Sequence, residues 1–222
     1  MAVLTVTAGA VDVISFLSLG QVFTALETGN LLFLAFSLAG QGTVPAWRPA
    51  LALAAFTVGA ALGSAMISSL AGKRWFPMVL GAEAVLLAAG GVVALFVGVG
   101  TPSVSPHPAV IALVALAMGL QSMAAVRARI PGMPTQLVQV SWVTLVDTLV
   151  SRRPRGGGRA EPAAGWSLTH RRHVITVGSI VVGGVLGALL TRWGSGFALL
   201  VLAAAVLVSA GGYALTSRDR PR

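Results

Sequence analysis

The chain consists mainly of long apolar runs, interrupted by short segments that are polar or rich in glycine and proline. A helix that crosses the hydrocarbon core of a membrane needs about 20 predominantly apolar residues. Six runs approach that length and predict six crossings, and a shorter apolar piece follows the first and the fourth of them. The predicted crossings are 3–19, 50–70, 76–99, 109–126, 174–190 and 196–215, and the short pieces are 31–38 and 136–150.

The first apolar region is too long for one crossing. A helix over 3–38 would be about 54 Å long, whereas the hydrocarbon core is about 30 Å thick. Gly20-Gln21 and the polar run Glu27-Thr28-Gly29-Asn30 predict where the helix breaks. The short pieces 31–38 and 136–150 either re-enter the membrane or cross it fully, and the pattern leaves both readings open.

Composition agrees with a membrane protein. Hydrophobic residues make up 56% of the 222 and charged residues 9%, against about 25% charged in soluble domains. The fold class is therefore an all-α, polytopic helical membrane bundle of about six transmembrane helices. The chain has no Cys, which excludes disulfides and thiol chemistry.

Basic residues lie between the apolar runs rather than on one face, so the net charge of +9 predicts orientation and not nucleic-acid binding. With six crossings and both termini cytoplasmic, all of the 15 Lys and Arg except Arg48 and Arg192 lie inside. Such a bias is typical of cytoplasmic loops. Eight crossings would divide the charges more evenly, so six are favoured without excluding eight. The predicted location is the cell membrane.

An internal repeat is also visible. Residues 58–63, VGAALG, align with 182–187, VGGVLG, and the third crossing aligns with the sixth in the same order. The first region aligns with the fourth, with Gly9 over Gly119. We expect one integral membrane domain over 1–222, built as a 3+3 inverted repeat with halves 1–100 and 109–216, a flexible cytoplasmic linker at 151–172 and a basic tail at 217–222. Many secondary transporters have inverted repeats with sites at paired broken helices.

Two acids lie inside predicted crossings. Asp12 is about nine residues into the first crossing, where a charged Asp costs about 2.5–3.5 kcal/mol on insertion scales. It should therefore face the bundle interior or a wet cavity, as a proton, cation or substrate site or as a structural hydrogen-bonded acid. The same argument applies more weakly to Glu83. A proton-coupled site would follow if the two acids met, which the sequence does not establish.

The break supplies further polar candidates, because unwound backbone and a helix N-terminus can bind an ion or polar group. Thr28 or Asn30 as a simple helix cap is the alternative. Uncharged counterparts follow the fourth crossing. The candidate polar cavity comprises Asp12, Thr24, Glu27, Thr28, Gly29, Asn30, Glu83, Gln121 and Thr135.

Glycine pairs with GxxxG spacing indicate close helix packing within the bundle, or less often a dimer face. They are Gly59 with Gly63 and Gly183 with Gly187. The three histidines lie in predicted loops without a converging acid, so no metal site is expected. No nucleophile and base can be assembled, and no cofactor motif is present, so we expect neither an enzyme nor a cofactor.

These residues resemble the signature of the YoaK family of bacterial multi-pass membrane proteins. The resemblance rests on AGAVDVISF at 8–16, Phe23-Thr24, Thr28-Gly29-Asn30, Glu83 and AMGLQ at 117–121. It implies an inner-membrane protein of about six helices and brings no established activity. The chain departs from the family at Glu27, where an uncharged residue is usual, and after Pro134-Thr135, where a Thr-Gly pair is usual.

The leading hypothesis is a small transporter or permease-like protein with its polar site at the broken first helix. The alternative is a non-transporting scaffold or partner-binding protein whose acids only tie helices together. Expected partners are the lipid bilayer and a small solute or ion, with a homo-oligomer as a further possibility and no nucleic acid.

Overall fold

The structure is a computed structural model that describes residues 2–70, 75–99, 106–128 and 163–218. Over these ranges the chain is entirely helical apart from connecting segments, and no strand occurs in them. The helices are α1 (Ala2–Ser18), α2 (Glu27–Leu38), α3 (Trp47–Ser69), α4 (Trp75–Val97), α5 (Pro108–Arg127), α6 (Ala163–Leu190) and α7 (Ser195–Arg218), and a 3-10 turn, Thr191–Trp193, joins the last two.

Five helices are long and apolar enough to cross a membrane, namely α3, α4, α5, α7 and the part of α6 that begins at Val174. α1 is also apolar but has 17 residues, which span about 25 Å. Large apolar side chains such as Val185 and Val208 remain exposed on the outside of the bundle, as expected for helices that face lipid. The predicted polytopic helical bundle is confirmed.

Helices α3 and α5 form a close parallel pair. A Cβ at Gly59 would collide with the carbonyl oxygen of Leu116, and one at Gly63 would lie 3.4 Å from Leu120 Cα. A Cβ at Gly119 would collide in turn with the Phe56 carbonyl. Because the contacts advance in the same direction along both helices, the two chains run parallel, and the absence of side chains permits backbone contact.

Helices α1 and α6 form a second close parallel pair. A Cβ at Gly183 would collide with the carbonyl of Val6, and one at Gly187 would lie 2.5 Å from the carbonyl oxygen of Ala10. Gly9 of α1 lies against Ile180, where a Cβ would be 2.7 Å from the carbonyl oxygen. Each glycine pair therefore packs against a helix from the other half of the chain.

Helix α2 does not cross the bundle. It has 12 residues, about 18 Å of helix. Arg48, at the start of α3, donates from Nη1 to the carbonyl of Gly20, just beyond α1, at 3.3 Å. The chain therefore returns to the end where α1 finishes, and α2 is re-entrant. We call this the Gly20 end of the bundle and the opposite end, where α1 begins, the N-terminal end.

Helix α4 packs antiparallel to α7 and also against α5. A Cβ at Gly91 of α4 would lie 2.9 Å from the carbonyl oxygen of Gly196 near the Gly20 end. Toward the other end, the rings of Phe76 and Tyr213 are 4.7 Å apart. α4 is consequently held along most of its length by two neighbours.

Three boundaries differ from the prediction. α2 begins at Glu27, so the polar run forms its first turn rather than a loop. α6 begins at Ala163 and includes 163–172 of the predicted linker, because a helix extends readily from an existing spanning segment once the last proline is passed. α7 continues to Arg218, into the predicted tail. The short piece 136–150 lies outside the described residues.

Candidate functional site

The break after α1 turns the chain back along the helix that it has just left. Gly20 has φ 88° and Gln21 has φ 62°, both in the left-handed region. Glycine adopts this conformation freely, whereas a residue with a side chain rarely does. The reversal brings the segment before α2 back to the level of Asp12, within the last two turns of α1.

Asp12 anchors the returning segment. Its Oδ1 accepts hydrogen bonds from the backbone N–H groups of Thr24, Ala25 and Leu26, at 2.9, 2.8 and 3.4 Å. These three residues directly precede α2, so the carboxylate lies at the N-terminal end of that helix, where the dipole favours negative charge. Asp12 thus satisfies three amides that would otherwise have no helical partner.

Asn30 closes the break from the α2 side. Its Oδ1 accepts from the Phe23 N–H at 3.0 Å, and its Nδ2 donates to the Phe23 carbonyl at 2.6 Å. The same Nδ2 donates to Glu27 Oε2 at 2.9 Å. Asn30 is fully buried, and it joins the first turn of α2 to the unwound segment before it. Neither Thr28 nor Asn30 is the helix cap, which is Leu26.

Glu27 is only partly satisfied. Its Oε1 is buried and has no hydrogen-bond partner among the described residues. Burial raises the pKa of Glu27 to about 7, the Asn30 hydrogen bond lowers it, and the charge of Asp12 adds a smaller upward contribution. Glu27, and not Glu83, is therefore the acid that lies next to Asp12.

Aromatic packing fixes the position of Phe23. Its ring is stacked between Phe16 of α1, at 5.3 Å, and Phe33 of α2, at 6.1 Å. The same ring covers Gly29, where a Cβ would collide with it. Ser15 adds a buried hydroxyl contact of 3.0 Å with Thr24. The break is thus a packed element with its own small core.

Arg48 covers the break at the Gly20 end. Besides its bond to the Gly20 carbonyl, its guanidinium lies 5.6 Å from the Trp47 ring centroid. Its Nε is buried without a hydrogen-bond partner in the described part of the chain. One cation therefore lies at the end of the bundle where the break begins.

A second polar site lies between α4 and α5. Gln121 Nε2 donates to Glu83 Oε1 at 2.9 Å. Glu83 is 0% exposed and Gln121 is 3% exposed. Glu83 Oε2 is buried and has no hydrogen-bond partner in the described ranges. Both residues are nearer to the N-terminal end of the bundle than to the Gly20 end.

The structure divides the predicted cavity residues between these two sites. Asp12, Thr24, Glu27, Gly29 and Asn30 come together at the break, where Thr28 is exposed on α2. Glu83 and Gln121 come together elsewhere, and no hydrogen bond joins Glu83 to Asp12 in the described chain. The described residues therefore form two separate groups, and the single cavity expected from the sequence stays a prediction. Thr135 lies outside the described residues.

Sequence reasoning missed Ser15, Phe16 and Arg48. Ser15 and Phe16 follow Asp12 by three and four positions, which places all three side chains on one face of α1, and this spacing could have identified them. Arg48 has no such signal, because its contact depends on the return of α2. No group of three or more His, Asp or Glu that could hold a metal occurs within the ranges that the structure describes.

Comparison with known proteins identifies a family for this chain but no solved structure that resembles it. Residues 1–212 match the family described as "Protein of unknown function (DUF1275)". A protein of Bacillus subtilis described as "UPF0700 transmembrane protein YoaK" is 28% identical over 155 residues, which cover 68% of this chain and 67% of the relative. No solved structure matches.

Proposed function

We propose that this protein, which belongs to the DUF1275 family of multi-pass membrane proteins, is a small permease-like transporter of the bacterial inner membrane. The predicted resemblance to YoaK is confirmed. Its polar site is the break between α1 and α2, which comprises Asp12, Thr24, Glu27 and Asn30. The transported species is a small polar solute or ion, and both termini are cytoplasmic in accordance with the charge bias.

The correspondence between the two parallel helix pairs carries this proposal. Aligning α3 with α6 and α1 with α5 pairs Gly59 with Gly183 and Leu116 with Val6, and these are the residues that touch in each pair. The same alignment relates the contact of Gly119 with Phe56 to that of Gly9 with Ile180. Matched contacts of this kind support an inverted repeat with one helix exchanged between the halves.

An inverted repeat offers a physical route to transport. Two related halves that differ in conformation can exchange those conformations, which exposes a central site first to one side and then to the other. A re-entrant helix whose N-terminus carries three amides and an acid is the type of polar element at which such proteins bind solutes. Asp12 and the amides around it are the groups that a solute would contact.

The scaffold alternative is favoured by one observation. Asp12 Oδ1 already accepts hydrogen bonds from the backbone amides of Thr24, Ala25 and Leu26. These bonds alone are enough to explain Asp12 as a structural acid. On that alternative, the break only stabilises the bundle and presents α2 to a partner.

Flux across a defined membrane separates the two functions. Full-length protein in sealed proteoliposomes is tested with a panel of labelled amino acids, sugars, organic anions and monovalent cations. Transport predicts protein-dependent uptake of one class, lost in Asp12→Asn and retained in Thr57→Ala, which changes an exposed residue bonded to its own helix. Absence of uptake for every class, or full uptake by Asp12→Asn, contradicts the proposal.

A further inference from the structure

We propose that the Glu83–Gln121 pair is a reversible proton-binding site that opens to the aqueous phase at the N-terminal end of the bundle. This site would couple transport to a proton gradient, and that role rests on the proposed function. The proton is taken up by a carboxylate oxygen of Glu83 and released from that oxygen to water, so no other reactant is needed.

The first argument is the incomplete bonding of the Glu83 carboxyl group. Oε1 is held by Gln121 at 2.9 Å, whereas Oε2 is buried without a partner in the described chain. A fully buried, unpaired charge costs far more than a buried neutral polar group. The closed arrangement therefore suits the protonated carboxylic acid, with its proton on the oxygen that Gln121 leaves free.

The second argument is that no cation bonds to Glu83 within the residues that the structure describes. The elements packed against α4 are α3, α5 and α7. The titratable side chains that the structure describes on them are Arg48 at the Gly20 end of α3, Arg127 in the last turn of α5, and Tyr213 toward the end of α7. The hydrogen bond that the structure gives Glu83 comes from Gln121 and from none of these groups.

A bound metal ion does not explain the site as well as a proton does. Hard cations such as Ca²⁺ take six to eight oxygen ligands, and Mg²⁺ requires near-octahedral coordination. No cluster of three or more metal-ligating side chains was found in the described ranges. Gln121 can donate to Oε1 in either protonation state, so it fixes the carboxyl group while Oε2 gains or loses the proton.

The position of the pair determines the side to which it opens. Gln121 lies within the last two turns of α5, about 9 Å from the end of that helix, and Glu83 lies in the third turn of α4, about 12 Å from its start. Both of these helix ends are at the N-terminal end of the bundle. A small separation of α4 and α5 at that end would hydrate Oε2. Asp12 lies beside the break and has different hydrogen-bond partners, so the two carboxyl groups belong to separate sites.

Infrared difference spectroscopy of the full-length protein in lipid vesicles tests the proton directly. Spectra at acidic and alkaline pH should contain a protonated-carboxyl C=O band that loses intensity as pH rises, is absent in Glu83→Gln and persists in Asp12→Asn. A second variant, Gln121→Leu, keeps the carboxyl and should shift the frequency of the band. No band sensitive to Glu83→Gln, a band of constant intensity at all pH values, or no shift in Gln121→Leu would overturn the inference.

Flux measurements distinguish this inference from the proposed function. If the protein moves a solute, uptake driven by a pH gradient should be lost in Glu83→Gln, while solute exchange without a gradient remains. A titrating Glu83 band without any flux refutes transport and supports the proton site. Flux without such a band refutes the proton site and supports transport.

Discussion

The guanidinium of Arg48 donates a hydrogen bond to the carbonyl of Gly20, which places the start of α3 beside the end of α1. This contact closes the path of α2 into a loop that enters and leaves the bundle at one end. α1 and α3 are therefore consecutive crossings that run in opposite directions.

We expect single cysteines at Gln41 and Ser68 to lie on opposite sides of the membrane. Both residues are exposed in a chain without native Cys, at the Gly20 end and the N-terminal end respectively. A membrane-impermeant maleimide should label Gln41→Cys in intact cells and Ser68→Cys only after permeabilisation. The reverse pattern, with Ser68→Cys labelled in intact cells and Gln41→Cys protected, would mean that α2 crosses the membrane.

Removal of the Asp12 acceptor should loosen the break. Asp12→Ala leaves three backbone amides without their partner, at a cost of about 1–3 kcal/mol in the free energy of unfolding. Asp12→Asn retains an acceptor oxygen and should cost less. Denaturant unfolding of purified protein, followed by tryptophan fluorescence, measures both, with Thr57→Ala as the neutral control. Equal stability of the Ala variant and the native chain would show that the amides find other partners.

The two glycine pairs should respond alike to an added methyl group. Gly59→Ala and Gly183→Ala each place a Cβ against a backbone carbonyl, and overpacking of this kind costs about 1–3 kcal/mol. Gly81→Ala is the matched control, because a Cβ there has no neighbour within 4 Å. Thermal unfolding in detergent should rank Gly81→Ala above both. A destabilised Gly59→Ala with an unaffected Gly183→Ala would break the correspondence between the pairs.

Glu27→Gln should stabilise the chain at neutral and higher pH. The pKa of Glu27 is about 7 in the folded chain, against its ordinary value of 4.5, which we take for the unfolded chain. Between these two pH values the folded chain therefore binds more protons than the unfolded chain. Stability therefore falls as pH rises from about 4.5 to about 7, and this loss persists at higher pH. The amide removes the loss and can still accept from Asn30. Unfolding of the variant and of Thr28→Ala across this range should show a smaller pH slope only for the former.

The positions of the helices could be predicted from the sequence, whereas the contacts between residues of different helices could not. Apolar runs placed the spanning helices, and the cost of a carboxylate in such a run identified Asp12 and Glu83. The partners of Asp12 are backbone amides, which have no signature in the sequence. Gln121 lies far from Glu83 along the chain, and only the packing of α4 against α5 brings them together. The shared cavity stays a prediction, because apolar patterning does not say which helices place their polar side chains against one another.

The exchange of helices between the two parallel pairs also constrains how the protein is made. α1 is synthesised before α6, against which its Gly9 face packs, and α2 to α5 lie between them in the chain. Until α6 arrives, α1 must remain in the bilayer with that face against lipid, which its apolar composition permits. The α1–α6 pair therefore forms only after α6 has been inserted, and a chain that stops before α6 leaves α1 without its partner.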